Sequence, residues 1–358
     1  MAHIELKGIT KNFGDHTALQ NMNLDIADGE FFVLLGQTGA GKTTTLRLIA
    51  GLEKPTAGQI FIDGRDVASW GAAERDVALV LQQYSLYPRY TVRENLEFPL
   101  KSPIRRVEPA EIKERVDRVA RTLRIEHLLD RKTDRLSGGE MQRVSIGRAI
   151  VRKPRVFLMD EPLSALDAKL REALRTELKN LQMNLGATFL FVTHDQIEAM
   201  SMGDKIGVLN NGNLVQTGTP HEIYNNPVNT FVAGSVGSPP MNLIDGTIAG
   251  GEAISDDGYR LPFGNGHAIA TDGRPLTFGI RPEDLQLETG GAGEATVHDV
   301  ENHGVAKIVT LRTGEKFIRA TVPAQAVLRI EEKVRFSWNP EKVVLFDSRT
   351  GVSLRHAS

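Results

Sequence analysis

Gly36-Gln37-Thr38-Gly39-Ala40-Gly41-Lys42-Thr43 is a glycine-rich turn closed by Lys-Thr, and the rest of the chain is read outward from it. Phe31-Phe32-Val33-Leu34-Leu35, just before it, is an apolar run of strand length. Lys42 to Ala50, just after it, is helix-forming and stops at Gly51, a residue suited to a helix C-terminus. Strand, glycine turn and helix in this order build an anion cradle. The glycines let successive N–H groups face inward, and the helix adds its positive end.

That order is the one a P-loop requires, in which Lys42 reaches the β- and γ-phosphates of a nucleotide and the Thr43 hydroxyl ligands Mg²⁺. The bulk properties set the frame for this reading. At 358 residues the chain is long enough for two or three domains. Its 43 basic and 45 acidic residues give no global bias toward nucleic acid or an anionic membrane. With no cysteine, a disulfide framework and a thiolate metal site are both excluded. Residues 1–5 lack the basic stretch and apolar core of a secretory leader. No apolar run reaches the roughly 20 residues of a membrane-spanning helix. The expected compartment is the cytoplasm, and any membrane part is another chain.

Upstream of the loop, Ile4-Glu5-Leu6 and Asn23 to Ile26 alternate like strands. Phe13 lies between them, a core ring or, beside a phosphate loop, a ring to stack on adenine. Gln59 to Asp63 and Val77 to Leu81 are strand-like, the latter ending at Gln82, and strand ends carry ligands in nucleotide folds. Tyr84-Ser85-Leu86-Tyr87-Pro88 is a loop with an exposed aromatic cluster. Residues 89–150 read as a helical insertion, with Ile112, Val116, Val119, Leu123 and Leu128 near one face of a helix that begins at Pro109. Leu136-Ser137-Gly138-Gly139-Glu140 then opens a second helix, expected over Met141 to Val151. Ser137 suits its cap, and the paired glycines admit an anion to the backbone.

Arg155 to Met159 is a near-continuous apolar strand ending in Asp160-Glu161, the pattern of a central parallel strand. Asp160 at its tip suits Mg²⁺, and Glu161 suits the polarisation of a water that attacks the γ-phosphate. Leu163 to Asp167 precede a helix whose Leu170, Leu174, Leu178, Leu181 and Leu185 form a core stripe. The strand Thr188 to Thr193 delivers His194 at its end. Ile206 to Gln216 reads as a hairpin around Asn210-Asn211-Gly212. Beyond a Pro- and Gly-rich boundary near 235–242, short alternating strands suggest small barrels or a sandwich. Acidic residues outnumber basic ones there and no basic run occurs, which excludes a phosphate-tracking groove.

Taken in order, the phosphate loop, Gln82, Leu136 to Glu140, Asp160-Glu161, Asp167 and His194 resemble the nucleotide-binding subunit of ABC transporters. The resemblance implies a Walker A loop, Q-loop, signature motif, Walker B strand, D-loop and H-loop at those positions. It implies ATP and Mg²⁺ as cofactors, with Phe13 stacking on adenine and Gly36, Gln37, Thr38, Gly39, Ala40, Gly41, Lys42, Thr43 and Thr44 around the phosphates. Ser137, Gly138, Gly139, Glu140 and Asp167 would serve a second nucleotide across a dimer. Thr43, Gln82 and Asp160 would hold the metal, and Glu161, His194 and Gln82 would carry the hydrolysis.

Tyr84 to Pro88, Phe231 to Gly234, Gly237-Ser238-Pro239, Met241-Asn242 and Gly279-Ile280-Arg281-Pro282-Glu283 are similar to the carbohydrate-importer ATPases of the maltose, trehalose and glycerol-phosphate type. The implied fold is α/β: a P-loop core with a helical subdomain at about 89–150 within an ABC domain of residues 1–235. A linker over 236–241 leads to an all-β regulatory domain of oligonucleotide-binding-like barrels over 242–358. The implied partners are a second ATPase copy, two transmembrane permease subunits through which this chain sits peripherally at the cytoplasmic face of a bacterial inner membrane, an extracytoplasmic solute-binding protein and a cytosolic regulator, with no nucleic acid. An importer for a polyamine or an anion, and a soluble ABC switch without a permease, are the alternatives. Three departures stand out: Phe13 where Tyr or Trp is usual, Gln37 for Pro or Ser, and Glu140 for Gln, which adds a carboxylate near a nucleotide.

Overall fold

The computed structural model describes residues 2–102, 107–263 and 273–355. The chain divides into two compact units, Met1–Pro220 and His221–Ser358.

The first unit is built on a six-stranded sheet. Strands Val77–Val80, Val156–Asp160, Thr188–Thr193, Phe31–Gly36 and Lys205–Asn210 run parallel in that spatial order, and Asn213–Gly218 adds an antiparallel edge. Val156–Asp160 and Thr188–Thr193 are buried at every position, as a sheet covered on both faces demands. The helix Lys42–Ala50 closes on Gly51 in the left-handed conformation (φ +75°). A four-stranded antiparallel sheet holds Ile4–Phe13, His16–Ile26, Ala57–Ile62 and Arg65–Asp66. Its inward side chains, among them Ile4, Leu6, Ile9 and Leu24, share one core with Leu34, Leu46, Leu158 and Val192.

The helical insertion contains Val92–Glu97, Pro109–Thr122 and Gly138–Ile150. Pro109–Thr122 buries Ile112, Val116, Val119 and Ala120. It ends before Leu128, which lies in a separate 3₁₀ turn, Glu126–Leu128. The second helix begins at Gly138, earlier than its apolar pattern suggested, because Ser137 and Glu140 form a reciprocal capping box. On the helix Ala168–Leu185 the stripe is narrower than expected: Leu174, Leu178 and Leu181 are buried, while Leu185 at its C-terminus is exposed.

The second unit is all-β apart from short helices. Two five-stranded antiparallel sheets enclose one core that includes Ile244, Phe278, Val297, Leu311, Phe336 and Leu345. The short helices Pro220–Asn225 and Thr230–Ser235, placed with the nucleotide domain on composition, fall almost wholly within this unit. Ala233 packs with Met241, Val344 and Phe346. The buried Arg281 guanidinium donates to the carbonyls of Val236 and Tyr224, each at 2.5 Å. Among the described residues, no helix is long and apolar enough to cross a membrane.

Candidate functional site

The candidate side chains arrive at the carboxyl ends of parallel strands or in the turns that follow, where open α/β sheets bind ligands. Strand Phe31–Gly36 leads into the glycine loop, where Gly39 (φ +84°) and Gly41 (φ +108°) take left-handed conformations. A Cβ on Gly41 would lie 2.7 Å from the Ala18 carbonyl oxygen, so this position requires glycine for space as well as for φ. The hairpin braces the loop: the Gly212 N–H donates to the Ala40 carbonyl at 3.0 Å.

Lys42 is almost fully buried and folds back into the loop. Its Nζ donates to the carbonyls of Gly36 (2.8 Å) and Gln37 (3.0 Å) and lies 3.2 Å from Glu161 Oε1. The Thr43 hydroxyl donates to Asp160 Oδ1 at 3.0 Å. Burial pushes the Asp160 carboxyl above the ordinary carboxylate range, opposed by that hydroxyl. A cation beside it would relieve the cost. Among the described residues, no group of three or more acidic, His or Cys side chains is arranged to hold a metal. One hydroxyl and one carboxylate do suit Mg²⁺, which takes few protein ligands and completes its shell with phosphate oxygens and water.

Glu161 has a positive φ of 44°, uncommon for a residue with a side chain. Its backbone N–H donates to Val192 on the neighbouring strand at 3.1 Å, and its Oε2 meets His194 Nδ1 at 2.9 Å. The conformation is thus held from both ends, by the sheet and by the Lys42 and His194 contacts to the carboxylate. Gln82 Nε2 lies 3.4 Å from Ser164 Oγ, which itself donates to the Glu161 carbonyl at 2.9 Å.

These groups surround an open cleft of about 350 Å³ lined by Phe13, Thr38, Gly39, Gly41, Lys42, Thr43, Thr44, Gln82, Asp160 and Glu161, together with His16 and Ala18. Phe13 is 45 % exposed, which removes it from the core and leaves a ring face beside the phosphate loop. Gly36, Gln37 and Ala40 shape the loop from behind without lining the cleft. Ser137, Gly138, Gly139, Glu140 and Asp167 do not line it either. Ser137 caps its helix, and the Glu140 carboxylate turns back onto the Ser137 N–H (2.8 Å) and hydroxyl (3.0 Å). Those donors, the backbone N–H first, hold the Glu140 carboxyl below its usual range. Asp167 caps the helix Ala168–Leu185 through the Leu170 N–H at 3.0 Å.

The aromatic loop is partly buried and not simply exposed. Tyr87 packs on Phe98 (4.4 Å between centroids) and Tyr90 (5.4 Å), with the Arg148 guanidinium 4.7 Å from its ring centre. Two cleft-side residues escaped the sequence reading. His16 follows Phe13 across a two-residue turn, and no local pattern marked it. Ser164 sits three residues beyond Glu161, a spacing from which a turn-borne hydroxyl reaching back can be read.

The sequence profile described as "ABC transporter" matches residues 19–164, that of the "MalK OB fold domain" 237–285, and that of the "TOBE domain" 278–346. The trehalose/maltose import ATP-binding protein MalK of Thermococcus litoralis is 46 % identical, covering 99 % of this chain and 100 % of that protein. The sn-glycerol-3-phosphate import ATP-binding protein UgpC of Ruegeria pomeroyi is 44 % identical, covering 98 % and 99 %. Among solved structures, a dimeric ATP-binding cassette in a post-hydrolysis state bound to ADP and Pi is similar over 61 % of this chain and 98 % of its own, at 33 % identity and a TM-score of 0.55.

Proposed function

The chain belongs to the ATP-binding subunits of ABC importers, and from that premise we propose how its residues bind and cleave ATP and what the cleavage drives. The observation that carries the reading is the convergence of Lys42, Thr43, Asp160, Glu161 and His194 on one cleft. Lys42 and the loop amides take the β- and γ-phosphates, Phe13 stacks on the base, and Thr43, Gln82 and Asp160 would hold Mg²⁺. Bound there, that ion would offset the charge of the phosphates. Glu161 accepts a proton from the attacking water. His194, fixed through Nδ1, has its other ring nitrogen for the γ-phosphate.

Among the described residues, the serine-capped helix tip of Ser137, Gly138 and Gly139 does not line the cleft of its own chain. Two copies set head to tail would complete both sites, with Ser137, Gly138 and Gly139 of each presented to the nucleotide of the other and Asp167 at the junction. One missing donor of this kind costs about 3 kcal/mol in a transition state. An open pair is therefore nearly idle, and closure is the step a membrane permease controls. The permease contact proposed here is the hollow of about 200 Å³ beside Leu79, Tyr84, Tyr87, Phe98, Ser145 and Arg148. The chain then sits peripherally on the cytoplasmic face, with the β unit open to a regulator.

The solute we propose is a sugar or sugar-like molecule, since the curated relatives are named for trehalose and maltose, xylose and arabinose, and glycerol phosphate. Uptake of labelled sugars, pentoses and glycerol phosphate by cells whose only copy carries Glu161→Gln tests both parts. Loss of one of these uptakes, restored by the wild-type chain, is the expected result. Undiminished uptake of all of them overturns the reading.

A further inference from the structure

Glu161 and His194 come from different loops, and their 2.9 Å contact needs those loops held in register. Glu161 opens the turn that precedes the helix Ala168–Leu185. His194 lies between strand Thr188–Thr193 and helix Gln196–Met202. Arg171, in the first turns of Ala168–Leu185, reaches both. Its Nη2 donates to the Leu166 carbonyl at 3.0 Å, and its Nη1 donates to Asp195 Oδ2 at 3.3 Å.

Both neighbours of His194 are fixed by the same network. Asp195 Oδ1 accepts from the N–H groups of Ile197 (2.7 Å) and Glu198 (3.3 Å), and the Asp195 N–H donates to Thr193 Oγ1 at 2.9 Å. The Thr193 hydroxyl donates to the buried Glu198 carboxylate at 2.6 Å. On the other loop, Ser164 Oγ holds the Glu161 carbonyl. Arg171 joins these two local networks, in addition to the Glu161 N–H that donates to Val192. Its planar fork serves two acceptors at a fixed separation, whereas a lysine offers a single point charge.

We propose that Arg171 is a positioning residue for ATP hydrolysis, bridging the Leu166 carbonyl and the Asp195 carboxylate so that the His194 imidazole stays on the Glu161 carboxylate. This rests on the reading of Glu161 and His194 as the hydrolytic pair. The Arg171–Asp195 pair is partly exposed, with side chains 30 % and 21 % accessible, so it adds little to stability. Its worth lies in geometry, where a displacement of about 1 Å costs on the order of 100-fold in rate.

The test uses the full-length chain at saturating Mg·ATP and compares Arg171→Ala, Arg171→Lys, Asp195→Asn and Glu161→Gln. Asp195→Asn keeps the oxygen that caps the following helix and removes the charge that Arg171 holds, so it serves even if Arg171→Ala does not fold. The expected result is a kcat at least about tenfold lower in Arg171→Ala and Asp195→Asn and a smaller fall in Arg171→Lys. KM and the Kd of a fluorescent ATP analogue should stay within about twofold, and a double variant, Arg171→Ala with Asp195→Asn, should be no slower than Arg171→Ala alone. An unchanged kcat in Asp195→Asn, or a fall that only tracks lost nucleotide-binding sites, overturns the proposal. If Glu161→Gln hydrolyses at the wild-type rate, the hydrolytic pair itself is wrong and the proposal goes with it. If Glu161→Gln is inactive while the Arg171 and Asp195 variants are normal, the pair stands and only the role of Arg171 fails.

Discussion

At the scale of single residues, the cleft sets one buried lysine beside the carboxylates of Asp160 and Glu161. Burial holds the Asp160 carboxyl above its usual range, so the folded chain binds that proton more readily than the unfolded one. The group then costs stability once pH rises through the raised value. Asp160→Asn should raise the melting midpoint of the nucleotide-free protein at pH 8 by about 2–4 °C, the shift for about 1 kcal/mol in a unit of this size. The gain should fade toward pH 4, and the extra protection that Mg²⁺ adds to ATP should vanish; an unshifted midpoint at pH 8 counts against the buried-charge account. Glu161→Gln should cut turnover at least about 100-fold while ATP still binds, measured by phosphate release and equilibrium titration. Lys42, Asp160, Glu161 and His194 were legible because each stands at the end of an apolar strand or inside a glycine turn. Arg171 and His16 were not, because the neighbours that give them meaning, Asp195 and the phosphate loop, are distant in sequence.

Among the elements, the glycine loop tolerates least change. Gly41→Ala would drive a methyl group against the Ala18 carbonyl at a φ that side chains rarely adopt. Thermal shift should show a folded protein that ATP no longer stabilises, and retained ATP stabilisation would mean the loop relaxes around the methyl. Tyr87→Ala, at the hollow beside Arg148, should lower transport more than basal hydrolysis, and an equal loss of both would reject that hollow as the permease contact. The helix Lys42–Ala50 was readable from the glycine that ends it. The strand Ile4–Phe13 was read only in part: Gly8 at φ +59° and shifts of register interrupt its alternation. Asn242–Ala249 was hidden by the Pro- and Gly-rich boundary next to it, and Lys333–Trp338 by the charged residues before it.

For the whole molecule, the proposed sharing of each nucleotide between two copies sets a concentration dependence, since Ser137, Gly138 and Gly139 do not line the cleft of their own chain. Turnover per chain should therefore fall as the protein is diluted below its pairing concentration, and a rate independent of dilution would rule out the shared site. The division at Pro220 gives a second check. A fragment ending at 235 exposes Ala233, which packs on Met241, Val344 and Phe346, so it should aggregate more than a fragment ending at 220, as read by light scattering. The ion pair of Lys42 with Glu161 also bears on the resting importer. The ammonium lies against the carboxylate proposed as the base, so one pair of opposite charges ties the phosphate loop to the turn after a neighbouring strand. A γ-phosphate that draws the lysine to itself would loosen that tie. Removing the charge at position 161 should leave a subunit that grips ATP harder than the native one does and scarcely burns it.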